Sequence, residues 1–318
     1  MASPGGYAER QDLNYIGQLY LIGANQTPLL NMMGGLAGGG GKVCRGFYFA
    51  CAQPWSLGSA AQTVVSEDTA AYTGPTLTTF TRGQDTNYIQ IMHRGYGVSY
   101  AKQSTYGEVG AITNVSGDSN AGNPVTNALD FQRMGAMRQL AIDIEYSFIN
   151  GSGTAPTASN VASATIGLAN AISTNTVASG GIDLSKALID NLLRTMAGNG
   201  SQFVNPVIFC NAFQKQQISD IYAYTEQSRT VGGYNIQTVM TDFAEMGVVY
   251  DPFMPTDEIY IVDMSVMFPM YCPKDGQLFI DEPIAKSTAS DRGQLYVQIG
   301  LDFGPEEFHG SITGLSTS

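Results

Sequence analysis

Apolar residues recur at three- and four-residue spacing between residues 124 and 150. Met134, Met137, Leu140, Ala141, Ile144 and Phe148 share one face, and Gln132, Gln139, Asp143 and Tyr146 share the other. Asn123 and Pro124 supply an N-cap and a first-turn proline, and Gly151-Ser152-Gly153 supplies a stop. The spacing predicts a helix about 39 Å long at 1.5 Å per residue, roughly twice the usual length in a globular domain. Gly135 inside it costs about 1 kcal/mol against alanine. Such a rod suits a thin, extended subunit.

The flanking regions read differently. Residues 1–42 form an N-terminal arm: Asp12 to Ile16 could open a short helix, and Thr27-Pro28-Leu29-Leu30 breaks it. Gly34, Gly35, Gly38, Gly39, Gly40 and Gly41 read as a hinge. Residues 43–104 hold a strand at 43–51, a polar Thr/Ser/Gly excursion at 52–86 and further strand at 87–104. The excursion has too few apolar residues for a core of its own, and a loop of that length is functional or covers another chain. The long helix belongs to 105–151. Residues 152–275 open with an Ala/Ser/Thr segment, 152–181, expected to be flexible, and continue as an α/β block. There Asp183 caps a helix, residues 204–210 form a buried strand, residues 212–224 a second helix, and strands follow at 236–241, 246–251 and 258–263. Residues 276–318 close the chain as strands.

Composition narrows the class. With 15 Lys+Arg against 27 Asp+Glu, the formal charge is −12. Such a chain is a poor candidate for gripping nucleic acid by phosphate neutralisation. Only 13% of the 318 residues are charged, against about 25% for an average domain. That deficit fits surface covered by neighbouring subunits, or else a Thr/Ser/Asn-rich secreted β protein. No apolar run reaches the roughly 18 residues of a membrane span. The opening residues have neither a basic start nor an apolar core, so no secretory signal and no fused N-terminal scaffolding segment are expected. Cys44, Cys51, Cys210 and Cys272 then read as free thiols in a reducing cytosol. On an unbroken strand Cys44 and Cys51 would point to opposite faces.

Candidate chemistry is sparse. Gly41-Lys42 invites a phosphate-loop reading, but Leu36 stands where the first glycine is needed and Val43 where the magnesium-binding hydroxyl is needed. The two histidines, His93 and His309, lie far from any ligand spacing; His93 reads as a partly buried strand residue. Asp143 and Glu145 are two apart on the helix and do not share a face, so they read as solvated or cross-subunit groups. No nucleophile elbow occurs. The sequence offers no catalytic, cofactor-binding or metal-binding constellation.

The order of elements and several phrases resemble the tailed-bacteriophage major capsid proteins of the Johnson fold. Asp12-Leu13 through Thr27-Pro28-Leu29-Leu30 resembles that family's arm. Asn87-Tyr88-Ile89-Gln90-Ile91 with Val98-Ser99, and Asp143 to Gly151, are similar to its strand and spine-helix phrases. Thr241-Asp242-Phe243, Val248-Val249-Tyr250 and Phe253-Met254-Pro255 are similar to its A-domain phrase, and Glu306 to Leu315 to its ending. Ala244 stands where the family usually has glycine, and the excursion at 52–86 aligns poorly. The resemblance implies an α+β fold with N-arm, β-hairpin E-loop, spine helix, P-domain and α/β A-domain. It implies a non-catalytic shell protein that assembles with copies of itself in hexamers and pentamers around double-stranded DNA. Separate scaffolding, portal and decoration proteins would be partners, with no membrane and no cofactor. Pro28, Leu29, Trp55, Phe80 and Arg82 are the expected inter-subunit contacts. Some capsids of this fold are welded by an isopeptide bond from an E-loop lysine. No lysine lies between Gln53 and Asp85, so that weld is not expected. A cellular nanocompartment shell of the same fold, and less so a secreted β-rich adhesin, stand as alternatives.

Overall fold

The computed structural model describes residues 26–35, 41–57, 60, 62, 64–73, 75, 77, 79–101, 128–222, 228–231, 234–285 and 288–317. The long helix, α3, runs Ala128–Asn150 after the short helices α1 (Pro28–Met32) and α2 (Glu67–Tyr72). Its expected cap at Asn123 and Pro124 lies outside the described residues. Leu140, Ile144, Phe148 and Ile149 are buried, so the predicted face is inward along the second half of the helix. Met134 and Met137, assigned to the same face, are exposed.

The strand expected at 43–51 is two strands. β1 (Lys42–Val43) pairs in parallel with β13 (Phe268–Tyr271), and β2 (Tyr48–Ala52) pairs with β3 (Asp85–Tyr88). The bend at Arg45-Gly46-Phe47 separates them. Cys44 and Cys51 therefore do not lie on opposite faces of one strand; both pack against the small cluster of Phe49, Ile89 and Met270.

The axis of the first sheet is β15 (Ser290–Asp302). Along one edge it pairs with β4 (Gln90–Ser99) over residues 290–299. Along the other it pairs first with β14 (Phe279–Pro283) and then with β13, beyond which lies β1.

A seven-stranded sheet forms the α/β block. It contains β7 (Thr176–Ala178), β8 (Pro206–Cys210), β9 (Ser228–Val231), β10 (Tyr234–Met240), β11 (Glu245–Tyr250), β12 (Ile259–Asp263) and β16 (Gly310–Thr313), ordered β7-β16-β12-β8-β11-β10-β9. Sheet membership thus crosses the expected division at 275/276: β13 joins the first sheet and β16 returns to the second. On one face, Ile208, Ile259 and Ile261 pack on the helices α5 (Lys186–Gly198) and α6 (Ala212–Ile221). On the other, Val207, Phe209, Tyr260 and Val262 meet α3, α1 and the first sheet in the main core. The alternation along β8 and β12 supplies both cores, and every residue of the two strands is buried.

Local chemistry sets the boundaries. α5 begins after Ser185, whose hydroxyl accepts the Leu188 N–H at 3.4 Å, rather than after Asp183. α6 begins after Asn211, which accepts the Gln214 N–H at 2.9 Å. The segment 152–181 is ordered as β5 (Ser152–Thr154), β6 (Ala164–Ile166), the short helix α4 (Leu168–Ala171) and β7, contrary to the flexibility expected of it. Asn87 explains part of the difference: its side chain accepts the Ile166 N–H at 2.7 Å and donates to the Ile166 carbonyl at 3.0 Å. At the end of α3, Gly151 and Gly167 touch so closely that a Cβ on Gly167 would lie 2.5 Å from the Gly151 nitrogen.

Candidate subunit-interaction surface

The β2–β3 hairpin leaves the body at Ala52 and carries little core beyond its root. Gly83 N–H donates to Pro54 O at 2.8 Å, and an isolated antiparallel bridge joins Trp55 to Arg82. Trp55 and Phe80 meet edge to face at 6.4 Å, yet both are more than half exposed, at 60% and 56%. Farther out, Leu57, Val64, Val65, Tyr72 and Leu77 are all exposed, and α2 buries no residue. Ser66 caps α2 by accepting the Thr69 N–H at 3.2 Å, so the tip has local order without packing. Exposed apolar side chains on an element with no core of its own make it the candidate contact surface among the described residues.

The base of the arm is fixed from a distance. Pro28 has no N–H, and Thr27 makes no side-chain cap. The next two orphan donors, Leu29 N–H and Leu30 N–H, give to Glu145 Oε1 at 2.7 Å and Oε2 at 2.8 Å. Glu145 is fully buried on α3, in contact with the body rather than with solvent or a neighbouring subunit as its sequence position suggested. The signal was present: Glu145 sits four residues after Ala141 and four before Ile149, within the apolar stripe. Asp143, by contrast, faces outward, and its Oδ2 accepts Arg94 from β4 at 2.6 Å.

Asp251 lies beside Glu145 and is equally buried. Its main-chain N–H donates to Cys210 O at 3.0 Å, and its Oδ1 accepts the Phe253 N–H at 2.8 Å. Oδ2 is buried with no hydrogen-bond partner, and both Glu145 oxygens accept main-chain N–H groups. Burial, then the Asp251 charge, pushes Glu145 well above the usual carboxyl range; burial also raises Asp251, against the lowering effect of its hydrogen bonds.

The strand that leads into the hairpin is anchored likewise. Lys42 Nζ reaches the buried Asp302 Oδ2 at 2.6 Å and lies 4.2 Å above the Phe268 ring. Gly41 is pressed on Tyr271, where a Cβ would fall 2.5 Å from Cε2. Gly41 is thus a close-packing residue rather than part of a free hinge. Gly34 and Gly35 turn the chain at φ +104° and +68°, and Gly38, Gly39 and Gly40 lie outside the described residues.

The other expected contacts separate into two sets. Trp55, Phe80 and Arg82 come together on the exposed hairpin. Pro28 and Leu29 are turned into the chain's own core, packed through α1 against α3, and their side chains are closed to a neighbour. His93 is exposed on β4 rather than partly buried. His309 is fully buried: its Nδ1 accepts the Asp263 N–H at 3.2 Å, so Nε2–H faces Phe303 O at 2.5 Å. Among the described residues no three His, Cys, Asp or Glu side chains gather as a metal site, and no helix is long and apolar enough to cross a membrane.

Known structures share this architecture. A capsid subunit of cyanophage A-1(L) superposes with a TM-score of 0.61 at 12% identity, covering 97% of each chain. The holo-SrpI encapsulin complex from Synechococcus elongatus PCC 7942 gives 0.61 at 9% identity, over 100% of this chain and 98% of that one. The capsid of the native GTA particle gives 0.54 at 13%, over 99% and 98%. At these identities the likeness establishes the α+β capsid fold and nothing finer. A sequence search of curated proteins finds no match. The profile of the SU10 major capsid protein family matches residues 5–316, nearly the whole chain, and the chain accordingly belongs to that family, whose members form the capsid shell.

Proposed function

We propose that each copy holds its neighbours through the β2–β3 hairpin, with Trp55, Phe80 and Arg82 at the contact and the apolar tip laid over an adjacent subunit. The observation that carries this is the set of exposed apolar side chains on an element with no core of its own. In the closed shell such contacts repeat around hexamers and pentamers, and several modest interfaces of about 1,000 Å² each hold a tile firmly. Gly34 and Gly35 let the arm leave at different angles in the two environments. The role is structural and involves no catalysis. DNA is enclosed without specific binding, in keeping with the net charge of −12. A separate scaffolding protein, a portal and a decoration protein complete the particle, which is assembled in the host cytoplasm. The encapsulin likeness concerns the fold, and only the capsid reading also has a matching family profile.

The test is a Trp55→Ser/Phe80→Ser double variant followed by sedimentation and electron microscopy. Folded subunits with unchanged circular dichroism should fail to close shells. Normal particles from that variant would refute the hairpin as the principal contact.

A further inference from the structure

Two cysteines far apart in sequence are neighbours at the root of the hairpin. β1 and β13 run in parallel with Lys42 opposite Met270 and Val43 opposite Tyr271. One step on, Cys44 stands opposite Cys272, and the ladder continues through Cys44 N–H to Tyr271 O at 2.8 Å. Residues at the same step of a parallel pair point to the same face, with backbones about 4.8 Å apart. That separation lies inside the window a disulfide spans, about 4.4–6.8 Å between Cα atoms. Both side chains pack on the same small cluster of Phe49, Ile89 and Met270, and the Cys272 side chain is near enough to raise the Cys44 thiol. Cys51, the third thiol on that cluster, is directed at Leu301 O instead, 3.9 Å away.

We propose that Cys44 and Cys272 are a dithiol that closes to an intrachain disulfide once the particle leaves the reducing cell. The oxidant is a low-molecular-weight disulfide such as oxidised glutathione. One protein thiolate attacks it and releases one glutathione thiolate, leaving a mixed disulfide. The second protein thiolate attacks the protein sulfur of that mixed disulfide and releases the second glutathione. The two cysteine protons pass through solvent to the two released glutathione thiolates, and the two glutathione thiols so formed carry the two electrons. Burial raises the Cys44 thiol, against the Gly46 carbonyl that accepts its S–H at 3.2 Å, so little thiolate is present at neutral pH. The reducing cytosol keeps the pair reduced through assembly, and oxidation follows release from the cell.

The bond acts as a strap. β1 is already held at its start by Lys42 on Asp302. A bond at Cys44 fixes its end, immediately before the bend that launches the hairpin. The step depends on the shell reading only for where oxidation takes place; the geometry belongs to the single chain.

The purified wild-type chain and its particles are equilibrated with oxidised or reduced glutathione, alkylated and mapped by mass spectrometry without reduction. The expected result is a linked Cys44–Cys272 peptide two hydrogens lighter than the free pair, absent in Cys44→Ser and in Cys272→Ser. Cys51 and Cys210 should remain alkylatable after unfolding. Oxidised wild type should melt higher than reduced wild type, and neither variant should respond to oxidant. Free thiols at both positions in excess oxidised glutathione, or Cys44 bonded to Cys51 or to another chain, would overturn the proposal. A bond that leaves the melting temperature unchanged would overturn the strap. Because mapping works equally on unassembled chain, failure of the shell reading leaves this result independently readable.

Discussion

Removing Glu145 should release the arm base while leaving the rest of the body folded. In Glu145→Ala, the Leu29 and Leu30 N–H groups lose their acceptors inside the core. Each stranded buried donor costs about 1–3 kcal/mol, and Asp251 loses the carboxyl group beside it. Relief from burying a charge offsets part of this. The net expected loss is about 3–5 kcal/mol, the range for breaking one side of a buried polar pair. Glu145→Gln should cost less, because its carbonyl keeps one N–H and its amide can donate to an ionised Asp251. The assay is urea unfolding of unassembled subunits together with hydrogen exchange at the Leu29 and Leu30 amides. Unchanged protection at both amides in Glu145→Ala, or a loss below about 1 kcal/mol, would refute the clamp.

The same pair fixes a pH dependence. Burial raises both carboxyl groups above their unfolded values, and together they hold one proton. Stability from a raised group is complete below the ordinary carboxyl range and is lost as pH rises through the raised folded value. The arm base should therefore loosen toward alkaline pH. Asp251→Asn removes the neighbouring charge that helps raise Glu145, while its carbonyl still accepts the Phe253 N–H. That variant should flatten the alkaline side of the profile. An unchanged profile would remove the Asp251 charge as a cause of the raised Glu145.

The remaining predictions test other anchors. Lys42→Met keeps the stem on Phe268 but leaves Asp302 charged and buried, and should cost about 2–4 kcal/mol, partly recovered in Lys42→Met/Asp302→Asn; equal stability of wild type and single variant would deny the anchor. Gly34→Ala/Gly35→Ala forces two alanines to positive φ at about 1–2 kcal/mol each, and should impair shell closure, scored by electron microscopy, more than subunit folding, scored by circular dichroism. Boiled, reduced particles should run at monomer mass on a denaturing gel, since no lysine lies between Gln53 and Asp85 and Lys42 is engaged by Asp302; a ladder of multimers would contradict this. On the acid side, burial lowers His309, and four donors from Ser173 and Thr174 outweigh burial to lower Glu306. Both contributions are full above the unfolded values and fade as pH falls through the folded ones, so Glu306→Gln should shift the acid unfolding midpoint and blunt its steepness.

The parts legible in sequence were those whose cause is local. The stripe from Leu140 to Phe148 sets α3 because a 3.6-residue period shows directly in the chain. The buried runs at 206–210 and 259–263 show as short apolar strands for the same reason. The hairpin could be read as an element short of core, from its composition alone. What stayed hidden depends on partners distant in sequence. The ordering of 152–181 rests on Asn87 and Glu306, neither of which its own residues reveal. The burial of Glu145 depends on two amides about 115 residues earlier in the chain. Pro28 and Leu29 were expected to face neighbours because an arm suggests outward contact, but α1 folds back on α3. The proximity of Cys44 to Cys272 required the break at 45–47, which a continuous β pattern conceals.

The anchoring acids share a position that bears on how the tile works. Glu145 holds the arm where it joins the body, and Asp302 holds the strand that becomes the hairpin. Asp281 holds Arg133 of α3 and accepts Tyr96 Oη–H of β4 at 2.6 Å. Each is a carboxylate of the packed body reaching an element whose far end leaves it or spans it. An apolar contact at those points would bury as much area but would tolerate sliding, since dispersion is weakly directional. A two-oxygen clamp or a short ion pair fixes direction as well as position. Direction matters most at the root of a lever: a small rotation at Val43 or Leu30 becomes a large displacement at Leu77 or along the arm. A shell built from overlapping levers closes only if the roots agree from copy to copy while the tips adapt. The chain divides its chemistry on that line, with carboxyl groups holding the roots and exposed apolar side chains at the tip. It follows that substitutions at the roots should broaden the distribution of particle sizes, whereas substitutions at the tip should reduce particle yield.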